Sequence, residues 1–411
     1  GSMESGAAPL GADRRGCHRL PPRGYRDIAT NRVILREARF FIGVMDALRI
    51  GFAFNQKPQL SAEADEDPPS SAGPSHSALP HADAPGADPP LDDVYAEWDD
   101  PTTIAAVEAA LQTRGQVIRL EARDTFPAAL AAARPDIVFN IAEGLRGVNR
   151  EAHVPAICEF YGIPHTASDA LTLGLALDKR RAKEIFLARG IPTASWAVLE
   201  HGAEAFDALA GDDGPWIVKP LLEGSSKGIP ESAFCTGVAA VARRVDAVAE
   251  AYAQAALVEA FLPGREFTAA VLGNGEGARV LPLVEIRFDA LPAGALPLYG
   301  YEAKWVWDTT EVPLPIFACP AELEPALADA LTHTALQAYH ALGCRDWARV
   351  DLRLDALGTP NVIEVNPLPG ILPDPRQNSC FPKAARAAGM SYDALIVSVL
   401  DAALARYGMA S

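Results

Sequence analysis

The chain has 411 residues, of which 49% are hydrophobic, and it carries a formal net charge of −17. This length and composition predict two or three domains with sizeable cores. The acidic balance argues against a nucleic-acid partner, because neutralising phosphates requires a basic surface, and no apolar run is long enough to cross a membrane.

The six cysteines stand far apart in the sequence and form no C-x-x-C pair. No secretory context surrounds them, so we expect reduced thiols and a cytoplasmic protein. The eight histidines form no pattern typical of metal ligands.

The N-terminal region contains two segments that are not expected to bury a core. Residues 1–47 open with Gly-Ser-Met, typical of an expression tag, and we expect a disordered leader, with a basic arm for an acidic partner as the alternative. The first strand is predicted at 48–54. Residues 57–93 are rich in Pro, Ala, Ser and Asp and predict a flexible insertion.

Helices and strands then alternate. The predicted order is helix 102–114, strand 116–120, helix 126–134 and strand 136–140. This order favours a parallel α/β sheet in an N-terminal domain at 48–176.

The remaining chain predicts two further units of mixed α/β structure. A helix from Asp178 to Gly190 and strands at 216–220 and 257–261 belong to a central unit, 177–260. The C-terminal unit, 261–408, has strands at 267–272, 280–286, 347–354 and 361–365 and helices at 321–342 and 392–406.

The segment WIVKPLLEGSSKGI (216–229) predicts a phosphate cradle. An apolar strand delivers Lys219, and backbone N–H groups in a loop of glycine and serine approach phosphate oxygens closely. The spacing differs from a Walker A motif. The role of Lys227 in this loop stays open.

Two later strands predict a cation site. Asp351 lies in an alternating strand after Arg349, and alternation puts Glu364 and Asn366 on one face of the next strand. Hard oxygen ligands that share the ion with substrate phosphates suit Mg²⁺. The alternative is that these side chains only cap a strand end on a solvated face.

From about Leu48 to Tyr407 the chain resembles the D-alanine–D-alanine ligases of the ATP-grasp superfamily, with its motifs in the same order. The matching blocks are DIVFNIAEG (136–144), LDKRRAK (177–183), VKPLLEGSSKG (218–228), EAFLPGREFT (259–268), LPLVEI (281–286), YEAK (301–304), ARVD (348–351) and EVNPLPG (364–370). The resemblance implies an ATP-grasp fold preceded by a parallel α/β domain, the pre-ATP-grasp domain.

The resemblance also implies how ATP is bound. Lys179 and Lys219 would grip the phosphates, and Lys304, on a lid loop, would close over them. The remaining nucleotide contacts implied are Glu223, Gly224, Ser225 and Ser226 in the loop, Glu259 and Leu262 at the adenine and Glu266 at the ribose. Lys183 is instead interpreted as part of a charged helix face.

The resemblance implies a metal-dependent catalytic centre. Asp351, Glu364 and Asn366 would hold two Mg²⁺ ions, at a site that also suits Mn²⁺. Arg349 and the backbone at Gly370 would stabilise charge on the reacting carboxylate, with Ser225 and Lys304 completing the catalytic set.

The substrate pocket departs from the family. The first strand runs into Asn55-Gln56-Lys57-Pro58 instead of a glycine-rich turn with a glutamate that anchors the first substrate's ammonium. We expect Glu143 to supply that anchor and Ser379 to hold the second substrate's carboxylate, although the loop before Ser379 is longer than in the family. Trp305 replaces a lid tyrosine, and it either covers the nucleotide or packs the loop.

The expected function is ATP-dependent joining of a carboxylate to an amine through an acyl phosphate, with small amino-acid-like substrates. One alternative is an authentic D-alanine–D-alanine ligase for peptidoglycan precursors. Another is a catalytically silent nucleotide-binding protein, and a third is an enzyme that activates bicarbonate. The resemblance further implies a homodimer, with no membrane or nucleic-acid partner.

Overall fold

Three β-sheets organise the described part of the chain, which in this computed structural model comprises residues 47–58, 93–212, 214–292, 294–308 and 313–410. Residues 1–46 of the predicted leader and 59–92 of the predicted insertion lie outside the described residues. The predicted boundaries at 177 and 261 stay predictions.

The strands, in chain order, are β1 Leu48–Phe54, β2 Gly115–Glu121, β3 Ile137–Asn140, β4 Trp196–Leu199, β5 Trp216–Pro220, β6 Phe234–Cys235, β7 Ala256–Ala260, β8 Glu266–Leu272, β9 Arg279–Val280, β10 Val284–Ile286, β11 Phe317–Ala318, β12 Trp347–Leu354 and β13 Pro360–Asn366. The helices are α1 Pro101–Gln112, α2 Phe126–Ala133, α3 His153–Phe160, α4 Ala170–Leu177, α5 Lys179–Ala188, α6 Ala205–Ala208, α7 Val238–Tyr252, α8 Pro325–Leu342, α9 Cys380–Ala387 and α10 Tyr392–Arg406.

The first sheet is parallel, in the order β2-β1-β3, as the alternation of helices and strands predicts. Its central strand β1 is buried from Ile50 to Phe54, which explains its continuous apolar sequence. Helix α1 begins where Asp100 accepts a hydrogen bond from the N–H of Thr103 and Pro101 occupies the first helical position.

The other two sheets are antiparallel. The second has the order β4-β7-β5-β6, and the third has the order β11-β10-β8-β12-β13, with β9 paired to β8. Helix α8 packs on β12 and β13, and its buried face includes Leu331 and Tyr339. The predicted mixed α/β fold is therefore confirmed.

Most predicted bounds agree with the structure to within two residues, and two predicted elements differ by more. The strand predicted at 280–286 is divided into β9 and β10, because Pro282 has no N–H with which to continue the strand pairing. The helix predicted at 321–342 begins only at Pro325, where proline's fixed φ suits the first helical position.

Helices α9 and α10 belong to the hydrophobic core. Within the described ranges, no single helix is long and apolar enough to cross a bilayer, and only this pair, bent by 99°, reaches that length and composition. Phe381 and Leu400 are fully buried in a core cluster that also contains Ile50 of β1. The apolar character of the pair is therefore explained by packing within the core, where α9 contacts β8 and β10 and α10 contacts α1.

Candidate active site

A cavity of about 280 Å³ lies where the loops of the three sheets meet. It brings together most of the residues predicted from the sequence: Glu143, Lys219, Glu223, Gly224, Ser225, Ser226, Glu259, Leu262, Glu266, Lys304, Arg349, Asp351, Glu364, Asn366, Gly370 and Ser379. Lys179 lies beside it, with its ammonium 3.7 Å from Glu364. The side chain of Trp305 falls outside the described part of the structure.

Glu259 joins two lysines at the inner end of the cavity. Its carboxylate lies 2.5 Å from Nζ of Lys219 and 2.6 Å from Nζ of Lys183, and all three side chains are buried. Although burial raises the pKa of Glu259, the two ammonium groups outweigh it and lower that pKa to about 2. The side chain of Glu259 thus orients cations here, and its contact with adenine stays a prediction.

The interpretation of Lys183 as a solvated helix face is wrong. Its side chain is only 1% exposed and donates a hydrogen bond of 2.6 Å to the hydroxyl of Thr193 in addition to its ion pair. The helical spacing of Lys179 and Lys183 places both on one face, and that face turns inward. Sequence periodicity alone could not reveal this, because the partner Glu259 lies 76 positions further along the chain.

The phosphate loop, residues 221–229, has the backbone conformation expected of a close-approach loop. Ser225, Ser226 and Gly228 have φ values of 52°, 60° and 65°. The left-handed conformation of two serines is unusual and occurs mainly where the surrounding structure fixes it. The hydroxyl of Ser226 donates to the carbonyl of Tyr299, which ties the loop to the lid.

A cluster of buried charged side chains holds the phosphate loop in place through hydrogen bonds and ion pairs. Glu97 accepts hydrogen bonds from the N–H of Gly224 at 2.9 Å and from Arg150 at 2.9 and 3.0 Å. Arg150 also donates to the carbonyl of Leu222, and Lys227 lies 2.5 Å from Glu223. Lys227 therefore belongs to the cluster.

The sequence did not predict Glu97. It lies after the insertion, three positions before the residue that caps α1, and its contacts are made with segments distant in sequence. Its position ahead of the first helix was the one signal that could have found it. Glu97 therefore contacts the phosphate loop, although it does not directly follow the first strand as the glutamate of the family does.

The predicted metal ligands lie on one face of the third sheet. Asp351 of β12 is directly opposite Glu364 of β13 and opposite Thr268 of β8. The Thr268 hydroxyl donates to Asp351 at 2.8 Å, and Arg349 donates to both oxygens of the same carboxylate at 3.0 Å. Asn366 accepts from the N–H of Leu368.

The lid lysine lies half-buried beside these acids. Lys304 lies in a π-helical turn, Glu302–Trp307, which follows a close contact between Gly300 and the phosphate loop. Burial, and after it the nearby charge of Arg349, lower the pKa of Lys304 to about 8 against the opposing charge of Glu364. Lys304 thus lies close to the charged groups of Arg349 and Glu364.

Glu143 lines the cavity three residues after the end of β3. The adjoining Gly144 is fixed by the Asn55 side chain at its N–H and by the Trp98 indole at its carbonyl, both at 2.9 Å. Burial and the nearby carboxylates of Glu151 and Glu97 raise the pKa of Glu143 well above its usual value. No hydrogen bond or ion pair to the Glu143 carboxylate occurs among the described residues, so it is available to a ligand.

Ser379 also lines the cavity. Its hydroxyl donates to the carbonyl of Gly370 at 3.0 Å and accepts from the N–H of Leu372 at 3.2 Å. In this arrangement the hydroxyl closes the loop between Gly370 and Ser379. Binding a substrate carboxylate would require the hydroxyl to turn.

Arg353 is a second residue that the sequence did not single out. It follows Arg349 and Asp351 on the same alternating face of β12, lines the cavity, and pairs with Glu266 at 2.8 Å. Extending the alternation by two residues would have identified it.

Comparison with known proteins identifies the family of this chain. The family model described as the D-ala D-ala ligase C-terminus matches residues 185–401. A D-alanine–D-alanine ligase of Cupriavidus necator is 35% identical over 72% of this chain and 85% of its own length. An uncharacterised protein of Sinorhizobium fredii, y4sG, is 39% identical over 66% of this chain and 75% of its own length.

The fold comparison covers more of the chain. The structure of a D-alanine–D-alanine ligase from Bacillus anthracis complexed with ATP has a TM-score of 0.61 and 21% identity, over 88% of this chain and 99% of that one. At this identity the likeness shows the fold alone, and the fold is ATP-grasp. Together with the sequence matches, it establishes that the chain belongs to the D-alanine–D-alanine ligase family and is an ATP-dependent ligase.

Proposed function

We propose that this enzyme joins the carboxylate of one amino-acid-like substrate to the amine of a second through an acyl phosphate. A substrate carboxylate oxygen attacks the γ-phosphorus of ATP and ADP leaves; the amine nitrogen then attacks the acyl carbon and phosphate leaves. The observation that carries the proposal is that Lys219, Lys304 and Arg349, from three separate segments, converge with Asp351 and Glu364 on one cavity.

The lysines are arranged to bind phosphates. Lys219 and Lys183 share the single carboxylate of Glu259, so this buried group of three retains one positive charge when all are ionised. Lys179 and Lys304 add charge from the sides. Phosphoryl transfer depends mainly on such positioning and charge stabilisation, and it needs no side-chain nucleophile.

The residues of the third sheet fit Mg²⁺ by their donor chemistry. Asp351 and Glu364 offer carboxylate oxygens on facing strands, and Asn366 offers an amide oxygen beside them. In the described part of the chain, no group of three His, Cys, Asp or Glu could hold a metal alone. Mg²⁺ rarely uses an all-protein cage and is commonly bound by one or two carboxylates together with substrate phosphates.

Bound Mg²⁺ would neutralise charge on the phosphates during transfer. Arg349 presently covers both oxygens of Asp351, so it must move aside for this carboxylate to coordinate a cation. We assign Arg349, once released, and the backbone at Gly370 to the reacting carboxylate. Thr268 would keep Asp351 oriented throughout.

Two residues that line the cavity are assigned to the substrates. We assign Glu143 to the ammonium of the first substrate, because its partly buried carboxylate has available oxygens and a fixed backbone. Ser379 is assigned to the carboxylate of the second substrate. The extended loop 371–378 favours an acceptor larger than alanine, or an amine that is not an amino acid.

A second candidate is ligation of two D-alanines for cell-wall precursors. The relatives named D-alanine–D-alanine ligase, including one from Bordetella petrii that is 37% identical over 67% of this chain, favour it. The first-substrate pocket favours a different substrate, since Glu97 is engaged by Arg150 and cannot freely receive an ammonium. Phosphate release with D-alanine alone would decide for the second candidate.

The test is a phosphate-release screen with ATP and Mg²⁺. Pairs of D- and L-amino acids and small amines are supplied, and the product mass identifies both substrates. We expect Asp351→Asn and Glu364→Gln to lose about a hundredfold or more in turnover, as removal of a transition-state contact typically does. Asp401→Asn, which alters an exposed ion pair on α10, is the matched control. Full activity in the first two variants would refute the metal assignment.

We further infer that the enzyme works as a cytoplasmic homodimer on small molecules. The family resemblance supports the homodimer, and the widely spaced cysteines without secretory context support the cytoplasm. Light scattering on the purified protein tests the assembly: a mass of about twice 43.6 kDa supports the dimer, and 43.6 kDa contradicts it.

A further inference from the structure

Arg353 is a buried arginine that lines the cavity. It lies two residues after Asp351 on β12, directly opposite Glu266 of β8, and its side chain is 5% exposed. Burying a guanidinium is costly unless its hydrogen bonds and charge are satisfied. A specific use in the cavity would explain why the chain retains this charge there.

Four contacts hold the Arg353 side chain. Its Nη1 donates to Oε2 of Glu266 at 2.8 Å and its Nη2 donates to the carbonyl of Pro297 at 2.9 Å. The guanidinium carbon lies 4.6 Å from the ring centre of Phe261 and 5.1 Å from that of Phe288. Such stacking fixes the planar guanidinium of an arginine, whereas the ammonium of a lysine has no plane to stack.

The pair leaves Glu266 with one available oxygen. Arg353 occupies Oε2, whereas Oε1 has no hydrogen-bond partner among the described residues, and Glu266 lines the cavity. An ionised carboxylate only accepts hydrogen bonds, and arginine only donates them. A ligand group that meets this oxygen must therefore be a donor, such as a sugar hydroxyl.

We propose that Arg353 is a positioning residue that makes nucleotide binding depend on the ribose hydroxyls, because it holds Glu266 with one oxygen directed at them. The inference rests on the proposed function, in which Glu266 meets the ribose. It goes further by assigning the discrimination between ribose and deoxyribose to the pair. A site built to bond a hydroxyl rejects the analogue that lacks it, since its polar group is then left unpaired.

The experiment measures the affinity of the full-length protein for ATP, 2′-deoxy-ATP and 3′-deoxy-ATP with Mg²⁺ by calorimetry. A hydrogen bond to a charged group corresponds to about tenfold or more in affinity. We expect the unsubstituted protein to prefer ATP over at least one deoxy analogue by about tenfold. In Arg353→Met this preference should fall to within about threefold, and Glu266→Gln should behave alike.

Two further variants separate positioning from general structural support. Arg353→Lys keeps the charge but loses the fork and the stacking, so it should retain an intermediate preference, and it serves where Arg353→Met fails to fold. Arg265→Met is the matched control: Arg265 pairs with Glu285 on a neighbouring strand and stacks on Phe267, but it does not line the cavity. It should leave the preference unchanged.

The results divide clearly. Loss of the preference for ATP over the deoxy analogue in both Arg353→Met and Glu266→Gln, with no further loss in the double variant, supports the coupling between these two residues. An unaltered preference in Arg353→Met, an equal weakening of all three nucleotides, or no preference in the unsubstituted protein overturns it. Failure of the unsubstituted protein to bind ATP at all would instead contradict the proposed function.

Discussion

The carboxylate of Glu259 lies 2.5 Å from the ammonium of Lys219, and both side chains are nearly inaccessible to water. The second oxygen of Glu259 binds Lys183, so one anion holds two buried cations in place. Removing one member of a buried ion pair leaves an uncompensated charge, which is more damaging than the pair is stabilising. This gives the cluster a strong and specific effect on stability.

Glu259→Gln should therefore lower the free energy of unfolding by about 3 to 5 kcal/mol, the usual range for breaking a buried pair from one side. Urea unfolding measures the change. Glu285→Gln is the control, because Glu285 pairs with the exposed Arg265 and should lose under about 1 kcal/mol. An equal, small loss in both variants would contradict the interpretation.

The same cluster predicts an acid-sensitive component of stability. The pKa of Glu259 is lowered from 4.5 to about 2 in the folded state, so its contribution is present above pH 4.5 and is lost as the pH falls towards 2. The amount is about 3 kcal/mol, since each pKa unit corresponds to about 1.4 kcal/mol. The stability difference between the unsubstituted protein and Glu259→Gln should shrink through this window. A difference that stays constant from pH 5 to pH 3 would refute the pKa assignment.

The pKa of Lys304 predicts that the affinity for ATP falls at alkaline pH. Its pKa is lowered to about 8, so it loses its proton above that pH in the protein without nucleotide. Affinity for ATP should then weaken by up to about tenfold per pH unit, because the free protein's ionisation governs binding. Calorimetry between pH 7 and 9.5 checks this. Lys304→Arg should shift the decline beyond this range, and Lys304→Met should show weak binding with no decline; an unsubstituted protein with constant affinity would contradict the assignment.

Much of the fold follows from local sequence patterns. Strands β1, β5 and β12 and helix α10 have the predicted bounds, because alternating or continuous apolar runs end there at polar or turn residues. The predictions that are wrong concern prolines: Pro282 interrupts a strand, and Pro325 begins a helix that had been predicted to start earlier. In both cases the N–H that proline lacks determines where the element ends or begins, and a pattern of apolar residues does not reveal this.

Only some of the site residues could be predicted from the sequence. Strand alternation alone relates Arg349 to Asp351 in one strand and Glu364 to Asn366 in the next, and the structure pairs these two strands. Lys183 and Glu97 could not be assigned, since their roles depend on partners from other segments, Glu259 and Arg150. Local periodicity identifies a face, but only the tertiary fold determines whether that face is solvated or buried.

Gly224 is predicted to tolerate no side chain. A Cβ at this position would lie 2.6 Å from the Glu97 carboxylate, which Arg150 and the Gly224 N–H hold in place. Gly224→Ala should displace the phosphate loop and lower stability by about 1 to 3 kcal/mol, as overpacking usually does, and it should weaken ATP binding. Gly277→Ala, with open space around its Cβ and no left-handed φ, is the control. Equal thermal unfolding temperatures and ATP affinities for the two variants would show that the loop can yield.

Glu143 gives the sharpest prediction about the first substrate. Burial and the charges of Glu151 and Glu97 raise its pKa well above the usual value, so a cationic ligand that binds there should drive off a proton. Glu143→Gln has nearly the shape of the protonated acid but cannot ionise; it should raise the KM of the first substrate by about tenfold or more, the effect of losing a charged hydrogen bond, while ATP affinity stays unchanged. Calorimetry in two buffers of different ionisation enthalpy should detect proton release in the unsubstituted protein and none in the variant. An unchanged KM, or equal proton release in both, would remove Glu143 from the substrate site and leave the ammonium to be bound elsewhere in the cavity.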